Sequence, residues 1–474
     1  MVKPGVGPAL AREDVHFPSL PLSCYTPGML NPPVSLVIEA ALAAVDPYAA
    51  VRRCLRGDET GFWAADHHYA YADYDRIVVI GAGKAAAPMA QAVESVLGEH
   101  LSEGCVVVKY GHDAPTRRVR VLEAAHPLPD AAGLAAGATI LDLAHRAGAR
   151  DLVICLLSGG GSALLEALPP GISPADLQAT TGLLLASGAT IHEINTLRKH
   201  LSLLKGGRLA AAVAPATLLT LVLSDVVGSP LDVIASGPTV ADPTTWADAW
   251  AVIARYALAD RLPASVRSYL QAGLAGALPD TPKPGDPLFA RSRVCLVGDN
   301  AMAAAAAAAA AAGQGYHSLI LTTFLEGEAR EVARVAVALA REVQAYHRPV
   351  PPPACLILGG ETTVTLGPQP GHGGRNQELA LAGAIALSGT TGITLVALAT
   401  DGTDGPTDAA GGVVDGTTLA RGAALGLDAR DHLRRHDAYP YLAAVGALLK
   451  TGPTRTNVND LLFLFVHSPA EARP

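Results

Sequence analysis

Aromatic residues are scarce in this sequence: they make up 4% of its 474 residues, whereas hydrophobic residues together make up 50%. The interior must therefore be built mainly from Ala, Val, Leu and Ile, as in sheets covered by alanine-rich helices. The hydrophobic content excludes a wholly disordered chain, and the length suffices for two domains with sizeable cores.

Positive charge is also in deficit, because 35 Lys and Arg residues face 43 Asp and Glu residues, which gives a net charge of −8. This balance opposes a nucleic-acid backbone or an anionic membrane, so we expect neither as a partner. Any anionic ligand must be held by local groups.

Several patterns are missing altogether. The six cysteines contain no CxxC pair, which favours free thiols in a reducing, cytoplasmic compartment. The proline-rich stretch 1–33 has no apolar run long enough for a signal peptide, and we expect a partly ordered arm there. The longest uncharged stretch, 301–315, is nearly all alanine, which suits a packed helix better than a bilayer span of roughly 20 strongly apolar residues.

What the sequence does contain is an alternation of short β-rich apolar runs with alanine-rich helical stretches, which predicts an α/β fold of parallel sheets with crossover helices. Nearly all the predicted strands end in Gly, Ser, Asp or Thr. Because ligands of open α/β sheets bind outside the carboxyl ends of the strands, we expect the chemistry there. The predicted strands are 76–80, 104–108, 119–123, 152–157, 217–223, 293–297, 318–322, 355–358, 394–399 and 461–466.

The first motif is a strand that ends in Gly81, Ala82 and Gly83 and opens into a helix. Glycines let the backbone approach a phosphate, and the helix N-terminus supplies free N–H groups. Lys84 lies on the first turn, where a cation is disfavoured unless an anion is near, so it is a candidate for a phosphate or carboxylate; the alternative is a solvated lysine. The motif also fits a GxGxxA dinucleotide fingerprint, but the acidic residue expected after the next strand is replaced by Lys109.

The second motif follows the strand at 152–157 and consists of Ser158, Gly159, Gly160, Gly161 and Ser162. Three glycines between two hydroxyls form a nest of backbone donors suited to a phosphate chain. A tight strand-to-helix turn, the alternative, needs only one glycine. No GxxxxGK[ST] occurs in the chain, so this is not a Walker A motif, and the lack of GxSxG argues against Ser162 as an acyl-transfer nucleophile.

A polar helix face is the third candidate. Asn195, Lys199 and Ser202 are spaced i, i+4 and i+7, with Arg198 beside them. We assign Asn195, Arg198 and Lys199 to substrate binding, although a solvated face explains the spacing equally well.

Two strand ends carry single polar residues. Asp225 follows a buried strand and is able to bind Mg²⁺ or to accept a proton from a hydroxyl; its alternative role is to cap the next helix. Asn300 is assigned to phosphate binding, with helix capping as its alternative.

The C-terminal third adds two further clusters. Gly359, Gly360 and Glu361 precede a glycine cluster that leads to Arg375 at a helix start, where backbone donors and a guanidinium suit an anion. We assign Glu361 to the ATP and phosphate site. Asp401, Asp404 and Asp408, interleaved with glycines at a strand end, predict a cation or hydroxyl site, and we assign Asp401 and Asp404 to substrate binding.

Together the loops offer cations and glycine nests for phosphates, carboxylates for Mg²⁺, and no His/Cys metal cluster. Phosphoryl transfer requires this mixture, because its catalysis consists mainly of positioning and charge stabilisation.

The same motifs closely resemble those of the class II glycerate 2-kinases, the glycerate kinase family that ends in a MOFRL domain. Members have often been labelled hydroxypyruvate reductases. The resemblance extends from about residue 33 to about residue 466. Its motifs are IGAGKAA, HPLPD, LLSGGGSALL, INTLRKHLSLLKGGRLA, LSDVVG, IASGPT, LEGEAR, GGETTV, GGRNQELAL, ATDGTDGPTDAAG and TNVNDL.

The resemblance implies transfer of the ATP γ-phosphate to the 2-hydroxyl of D-glycerate, giving 2-phosphoglycerate and ADP, with Mg²⁺. It implies that Lys84, from GAGK, and Arg375, from GGRNQ, are catalytic. Our hypothesis is that Lys84 and the 158–162 loop hold phosphates, that Asp225 or Asp401 is the base or a Mg²⁺ ligand, and that Arg375 grips a carboxylate or the transferring phosphoryl group.

The resemblance also implies two α/β domains with the active site in the cleft between them. Proline-rich segments at 279–287 and 349–353 are the best linker candidates. We therefore predict a Rossmann-like, mainly parallel N-terminal domain at 34–285 and a C-terminal domain at 286–474 that contains the MOFRL-type segment 354–466. A break at 237–245 would move the boundary to about 242.

Two rival functions remain open at this point. An NAD(P)H-dependent hydroxypyruvate reductase would need a nicotinamide cofactor, and a non-catalytic sugar-acid or nucleotide sensor would not need acidic groups on so many strand ends. We expect small-molecule ligands, and a homodimer is the assembly we consider.

Overall fold

The computed structural model of the protein describes residues 32–468. The predicted arm at 1–33 lies outside the described residues except for Pro32 and Pro33, which begin the first helix. The strands are β1 Leu55–Gly57, β2 Gly61–Ala64, β3 His67–Ala70, β4 Arg76–Ala82, β5 Leu101–Lys109, β6 Val119–Ala124, β7 Asp151–Leu157, β8 Thr217–Leu223, β9 Ser292–Gly298, β10 His317–Leu325, β11 Ala354–Gly360, β12 Ile393–Ala399, β13 Gly411–Asp415, β14 Leu448–Leu449 and β15 Asp460–Val466. The α-helices are α1 Pro32–Ala44, α2 Pro47–Cys54, α3 Ala86–Leu97, α4 Ala131–His145, α5 Gly161–Leu164, α6 Pro174–Ala186, α7 Ile191–His200, α8 Arg208–Val213, α9 Trp246–Arg255, α10 Ala264–Leu274, α11 Asn300–Gly313, α12 Ala329–Tyr346, α13 Arg375–Leu387, α14 Thr418–Ala424, α15 Ala429–Arg434 and α16 Ala438–Ala444.

The first large sheet is entirely parallel, with the strand order β6-β5-β4-β7-β8-β9. Its strands are covered on both faces, because Ile77 and Val79 pack into one core cluster and Val78 and Ile80 into another. The strand order reverses between β4 and β7, which is where open α/β sheets bind ligands. This confirms the predicted α/β fold with a mainly parallel first sheet.

The second large sheet has the order β10-β11-β15-β12-β13-β14. Only β10 and β11 are parallel; β15 runs antiparallel to β11 and β12, and β13 runs antiparallel to β12 and β14. The prediction of parallel sheets is therefore wrong for this half of the chain. Because β15 enters from the opposite direction, its first residue, Asp460, lies at the carboxyl ends of β11 and β12.

Strand β9 lies beyond the predicted boundary at residue 285, yet it pairs with β8 in the first sheet. It leads directly into α11, which packs against α1 and against the second sheet. The predicted domain limits stay a prediction.

Five cysteines fall within the described residues, and all are free thiols. In the same part of the chain, no single helix is long and apolar enough to cross a membrane; α1 and α2, bent against each other, have that length and composition only as a pair.

A buried ion pair lies beneath the first sheet. Lys205 Nζ is 2.5 Å from Glu166 Oε2 and donates to the carbonyl of Leu165 at 2.9 Å. Glu166 is 2% exposed and Lys205 is fully buried. Neither charge has access to water as an alternative partner.

We predict that Glu166→Ala lowers the free energy of unfolding by about 3–5 kcal/mol, because it leaves the ammonium of Lys205 buried without a counterion. Urea denaturation would measure this change. The control is Glu331→Ala, which removes an exposed pair with Arg334 and should cost less than about 1 kcal/mol. Equal effects of the two substitutions would contradict the prediction.

Candidate active site

A cleft of about 690 Å³ lies where strand ends of both large sheets meet. The first sheet contributes Lys84, Lys109 and Asp225, which follow or end β4, β5 and β8. The second half of the chain contributes the remaining walls. The polar residues of those walls include Glu361, Arg375, Glu378, Thr400, Asp401, Thr403, Asp404, His436, Asn457, Asn459 and Asp460.

Two predicted motifs pack directly against each other at the reversal point of the first sheet. The amide of Lys84 donates to the carbonyl of Gly159 at 2.8 Å, and the amide of Ala85 donates to Ser158 Oγ at 3.0 Å. Gly83 has φ +136°, and a side chain there would collide with Ser158. The glycines of GAGK thus allow the 158–162 loop to lie against the base of Lys84.

Close packing also explains the three consecutive glycines. A β-carbon at Gly159 would collide with the Asp225 carboxylate, one at Gly160 would press on the His126 ring, and one at Gly161 would press on Ala235. Within residues 32–468, the amides of Gly159 and Gly160 donate no backbone hydrogen bond. The loop therefore leaves room for the Asp225 carboxylate and also presents the free amides of Gly159 and Gly160.

Asp225 is the acidic group closest to this loop. Burial raises its pKa to about 6; Lys84 opposes the rise, and the carboxylates of Glu361 and Asp401 add to it. The side-chain amide of Asn457 donates to Asp225 Oδ2 at 3.3 Å. A carboxyl group that titrates near neutral pH is suited to accept a proton.

Lys84 extends from the first sheet across the cleft. Its Nζ is 3.7 Å from Asp401 Oδ2, so the strand ends of the two sheets are joined by an ion pair. Burial, together with the charges of Lys84 and Lys109, lowers the pKa of the neighbouring His126 to about 4. His126 is therefore neutral at pH 7, and the positive charge of this wall comes from the two lysines.

Arg375 is held by two carboxylates. Its Nε and Nη2 lie 2.6 and 3.1 Å from the two oxygens of Asp460, and its Nη1 lies 2.5 Å from Glu361 Oε1. Burial lowers the pKa of Arg375, but Asp460 and Glu361 outweigh it, so the net shift is upward. The guanidinium is thus fixed in direction and stays charged.

Asp404 also lines the cleft, but its oxygens are already engaged. Asn376 N donates to Oδ1 at 3.1 Å and Gln377 N donates to Oδ2 at 2.8 Å, so Asp404 caps α13. The backbone donors that the sequence suggested for an anion at this helix start are occupied by the protein's own carboxylate.

Eleven predicted site residues do not line the cleft. Seven belong to the two glycine motifs (Gly81, Gly83 and 158–162), and four lie outside those motifs, namely Asn195, Arg198, Lys199 and Asn300. Lys199 Nζ lies 3.2 Å from both Asp232 and Asp242, and Asn195 Oδ1 accepts from Ser236. Arg198 faces a separate small pocket that Ser162 also lines.

Asn300 is the fourth of these residues, and it donates to the carbonyls of Val458 and Asp460 at 2.8 and 3.0 Å. These contacts satisfy the ammonium of Lys199 and the side-chain amide nitrogen of Asn300, and Ser236 satisfies the side-chain oxygen of Asn195. The predicted ligand roles of all four residues stay predictions.

A second polar group of the site joins Arg330 of LEGEAR and Glu378 of GGRNQELAL to His436, which no sequence motif indicated. His436 Nδ1 lies 2.9 Å from Glu378 Oε2, and Arg330 Nε donates to Glu378 Oε1 at 2.9 Å. These residues lie on different helices or loops, and His436 belongs to no strand-end or glycine motif. Only the packing of α12 and the α15–α16 connection against α13 brings them together.

The fold and the cleft define an α/β enzyme with its candidate site between two sheets, and comparison with known proteins identifies the family. Residues 34–271 match the family model described as a domain of unknown function (DUF4147), and residues 354–460 match the MOFRL family. The glycerate 2-kinase of Pyrococcus horikoshii is 42% identical over 91% of this chain and 96% of its own length. A putative hydroxypyruvate reductase of Agrobacterium vitis is 45% identical over 91% of this chain and 93% of its own length.

The D-glycerate 2-kinase of Thermotoga maritima is 44% identical over 82% of this chain and 90% of its own length. A crystal structure of glycerate kinase from the same organism superposes with a TM-score of 0.81, at 41% identity, over 92% of this chain and 98% of that one. The chain belongs to the class II glycerate kinase family. The family predicted from the motifs is thereby confirmed.

The contacts of Asn300 lead to a test that separates a structural role from a ligand role. We expect Asn300→Ala to lower the free energy of unfolding by about 1–3 kcal/mol, because two buried carbonyls lose their donor. Thermal or urea unfolding measures the loss. Gln314→Ala, at the exposed end of the same helix, serves as the control and should stay within about 0.5 kcal/mol. Unchanged stability with a raised KM for ATP would instead support the phosphate role that the sequence suggested.

Proposed function

We propose that this protein is an ATP-dependent glycerate 2-kinase, which transfers the γ-phosphoryl group of ATP to the 2-hydroxyl of D-glycerate and yields 2-phosphoglycerate and ADP. The observation that carries the proposal is the convergence of Lys84 and Arg375, from opposite halves of the chain, on one cleft that also contains Asp225. The kinases among its relatives support the same reaction.

In this proposal Asp225 is the general base. Its carboxylate accepts the proton of the substrate 2-hydroxyl as that oxygen attacks the γ-phosphorus and the bond to the ADP oxygen breaks. Its pKa of about 6 keeps it largely ionised at neutral pH while leaving it basic enough to take the proton.

Lys84 and Arg375 supply positive charge to the phosphates and to the substrate carboxylate. The free amides of Gly159 and Gly160 lie next to Lys84 and are proposed to hold phosphate oxygens. Because Arg375 is already paired with Asp460 and Glu361, it acts as an oriented donor more than as an uncompensated charge.

The donor set fits Mg²⁺. Asp225 and Asp401 present carboxylate oxygens to the cleft, and Mg²⁺ commonly takes one or two carboxylates together with substrate phosphates and waters. No group of three or more His, Cys, Asp or Glu residues within 32–468 is arranged to hold a metal alone, so the substrate would complete the site. When bound there, Mg²⁺ would neutralise charge on the phosphates.

We also propose a cytoplasmic location, since the free thiols suit a reducing compartment. The homodimer considered from the sequence stays a prediction.

The direct test is a coupled assay of D-glycerate with ATP and Mg²⁺, with the phosphate position determined on the product. We expect ADP and 2-phosphoglycerate, loss of activity with a chelator, and recovery with Mg²⁺. Oxidation of NADH or NADPH by hydroxypyruvate, without ATP consumption, would overturn the proposal in favour of a reductase.

Lys84→Ala should reduce kcat by about 10²–10³-fold, because a fixed donor to the phosphoryl oxygens is lost. Steady-state kinetics with saturating ATP and glycerate measures the loss. The matched control is Lys450→Ala, whose ammonium pairs with Asp408 outside the cleft. Normal turnover by Lys84→Ala would refute the assigned role.

Asp225→Asn should reduce kcat by about 10²–10⁴-fold, since an amide cannot accept the hydroxyl proton. Asp408→Asn, at an aspartate whose side chain is 66% exposed, is the control. Near-normal kcat for Asp225→Asn would shift the base assignment to Asp401.

A further inference from the structure

The cleft has an apolar end that none of the proposed catalytic roles uses. Leu366 lines it although 59% of this side chain is exposed, and Val364, Pro370, Pro406 and Ala438 line it as well. Together these side chains give part of a mainly polar cleft an apolar surface, which suits a ligand with an apolar face.

Hydrogen bonds connect the segments that carry Pro370, Pro406 and Ala438, while Thr365, between Val364 and Leu366, donates its amide to Glu328. The amide of His372 donates to Asp437 Oδ1 at 2.9 Å, the amide of Tyr439 donates to the carbonyl of His372 at 2.9 Å, and His372 Nε2 lies 3.3 Å from the carbonyl of Pro406. The loops around residues 370, 406 and 438 are therefore one connected surface and not scattered contacts.

His436 lies at the same end. Its Nδ1 is bonded to Glu378, which Arg330 also holds, so the ring is fixed from behind. Its Nε2 has no hydrogen-bond partner between residues 32 and 468 and is the remaining polar atom of the ring. Glu378 follows Arg375 by three residues on α13, which is a rise of about 4.5 Å, so this end directly adjoins the guanidinium.

The chemistry of the reactants indicates which of their groups fits the apolar end of the cleft. Glycerate is a three-carbon acid with a carboxylate and two hydroxyls, and the phosphates are charged. The nucleobase is the one flat, largely apolar group among them. Resting on the proposed function, we propose that the nucleobase of the nucleoside triphosphate binds against Leu366 and Val364, with His436 facing its polar edge, and that the phosphates run past Arg375 towards Lys84.

Leu366→Ser tests this, because the side chain is exposed and its removal leaves the core intact. We expect KM for ATP to rise about tenfold, which is the effect of losing one buried leucine contact. The inhibition constant of inorganic tripolyphosphate, which has the phosphates but no base, should change less than twofold. Leu425→Ser is the matched control, since Leu425 is 58% exposed and lies outside the cleft.

An unchanged KM for ATP in Leu366→Ser would overturn the inference, and so would equal weakening of ATP and tripolyphosphate. His436→Ala should raise KM for ATP while leaving the inhibition constant of tripolyphosphate unchanged, and circular dichroism would confirm that the variant folds.

Titration with a fluorescent ATP analogue separates the nucleobase site from the proposed kinase activity. Binding that Leu366→Ser weakens, without phosphorylation of glycerate by the wild type, would refute the kinase and keep the nucleobase site. Phosphorylation of glycerate by the wild type, with unchanged binding of the ATP analogue in Leu366→Ser, would keep the kinase and refute the nucleobase site.

Discussion

The bidentate contact between Arg375 and Asp460 is the interaction on which the cleft depends. Asp460 opens β15, which pairs antiparallel with both β11 and β12, so its carboxylate lies opposite Gly360 and Ala399 at their carboxyl ends. Asn300 holds the carbonyl of Asp460 from the side of the first sheet. The guanidinium is therefore oriented by a residue that is itself fixed from three directions.

Charge compensation shapes the rest of the site. Lys84 faces Asp401 and Arg375 faces two carboxylates, whereas burial raises the pKa of Asp225 to about 6. A phosphate ligand entering such a cleft meets donors whose positions are already set. Preorganised donors of this kind stabilise developing charge without rearranging at the moment of reaction.

The glycines have a packing role in addition to the phosphate role proposed from their pattern. Gly159 is required because the Asp225 carboxylate occupies the space of its side chain, and Gly83 because Ser158 does. The same absence of side chains leaves the amides of Gly159 and Gly160 free. Close packing and ligand binding thus require the same residue type here, and a pattern of glycines does not separate the two.

All ten strands of the two large sheets that the apolar runs predicted are present in the described part of the chain, because burial on both faces leaves a clear signal in composition. The placement of Lys84, Asp225, Glu361 and Asp401 on one cleft also followed from strand-end chemistry, and that of Arg375 from the family resemblance. The direction of β15 did not, because an apolar run has no polarity that composition reveals. Nor did the pairing of His436 with Glu378, or the structural contacts of Lys199 and Asn300, since each depends on partners brought together from distant segments by packing. The sequence by itself determined ten of the twelve strands of the two large sheets, the family and the residues at the strand ends. The tertiary structure decided which further residues join them in the cleft, because only the pairing order and direction of the strands determine which ends meet.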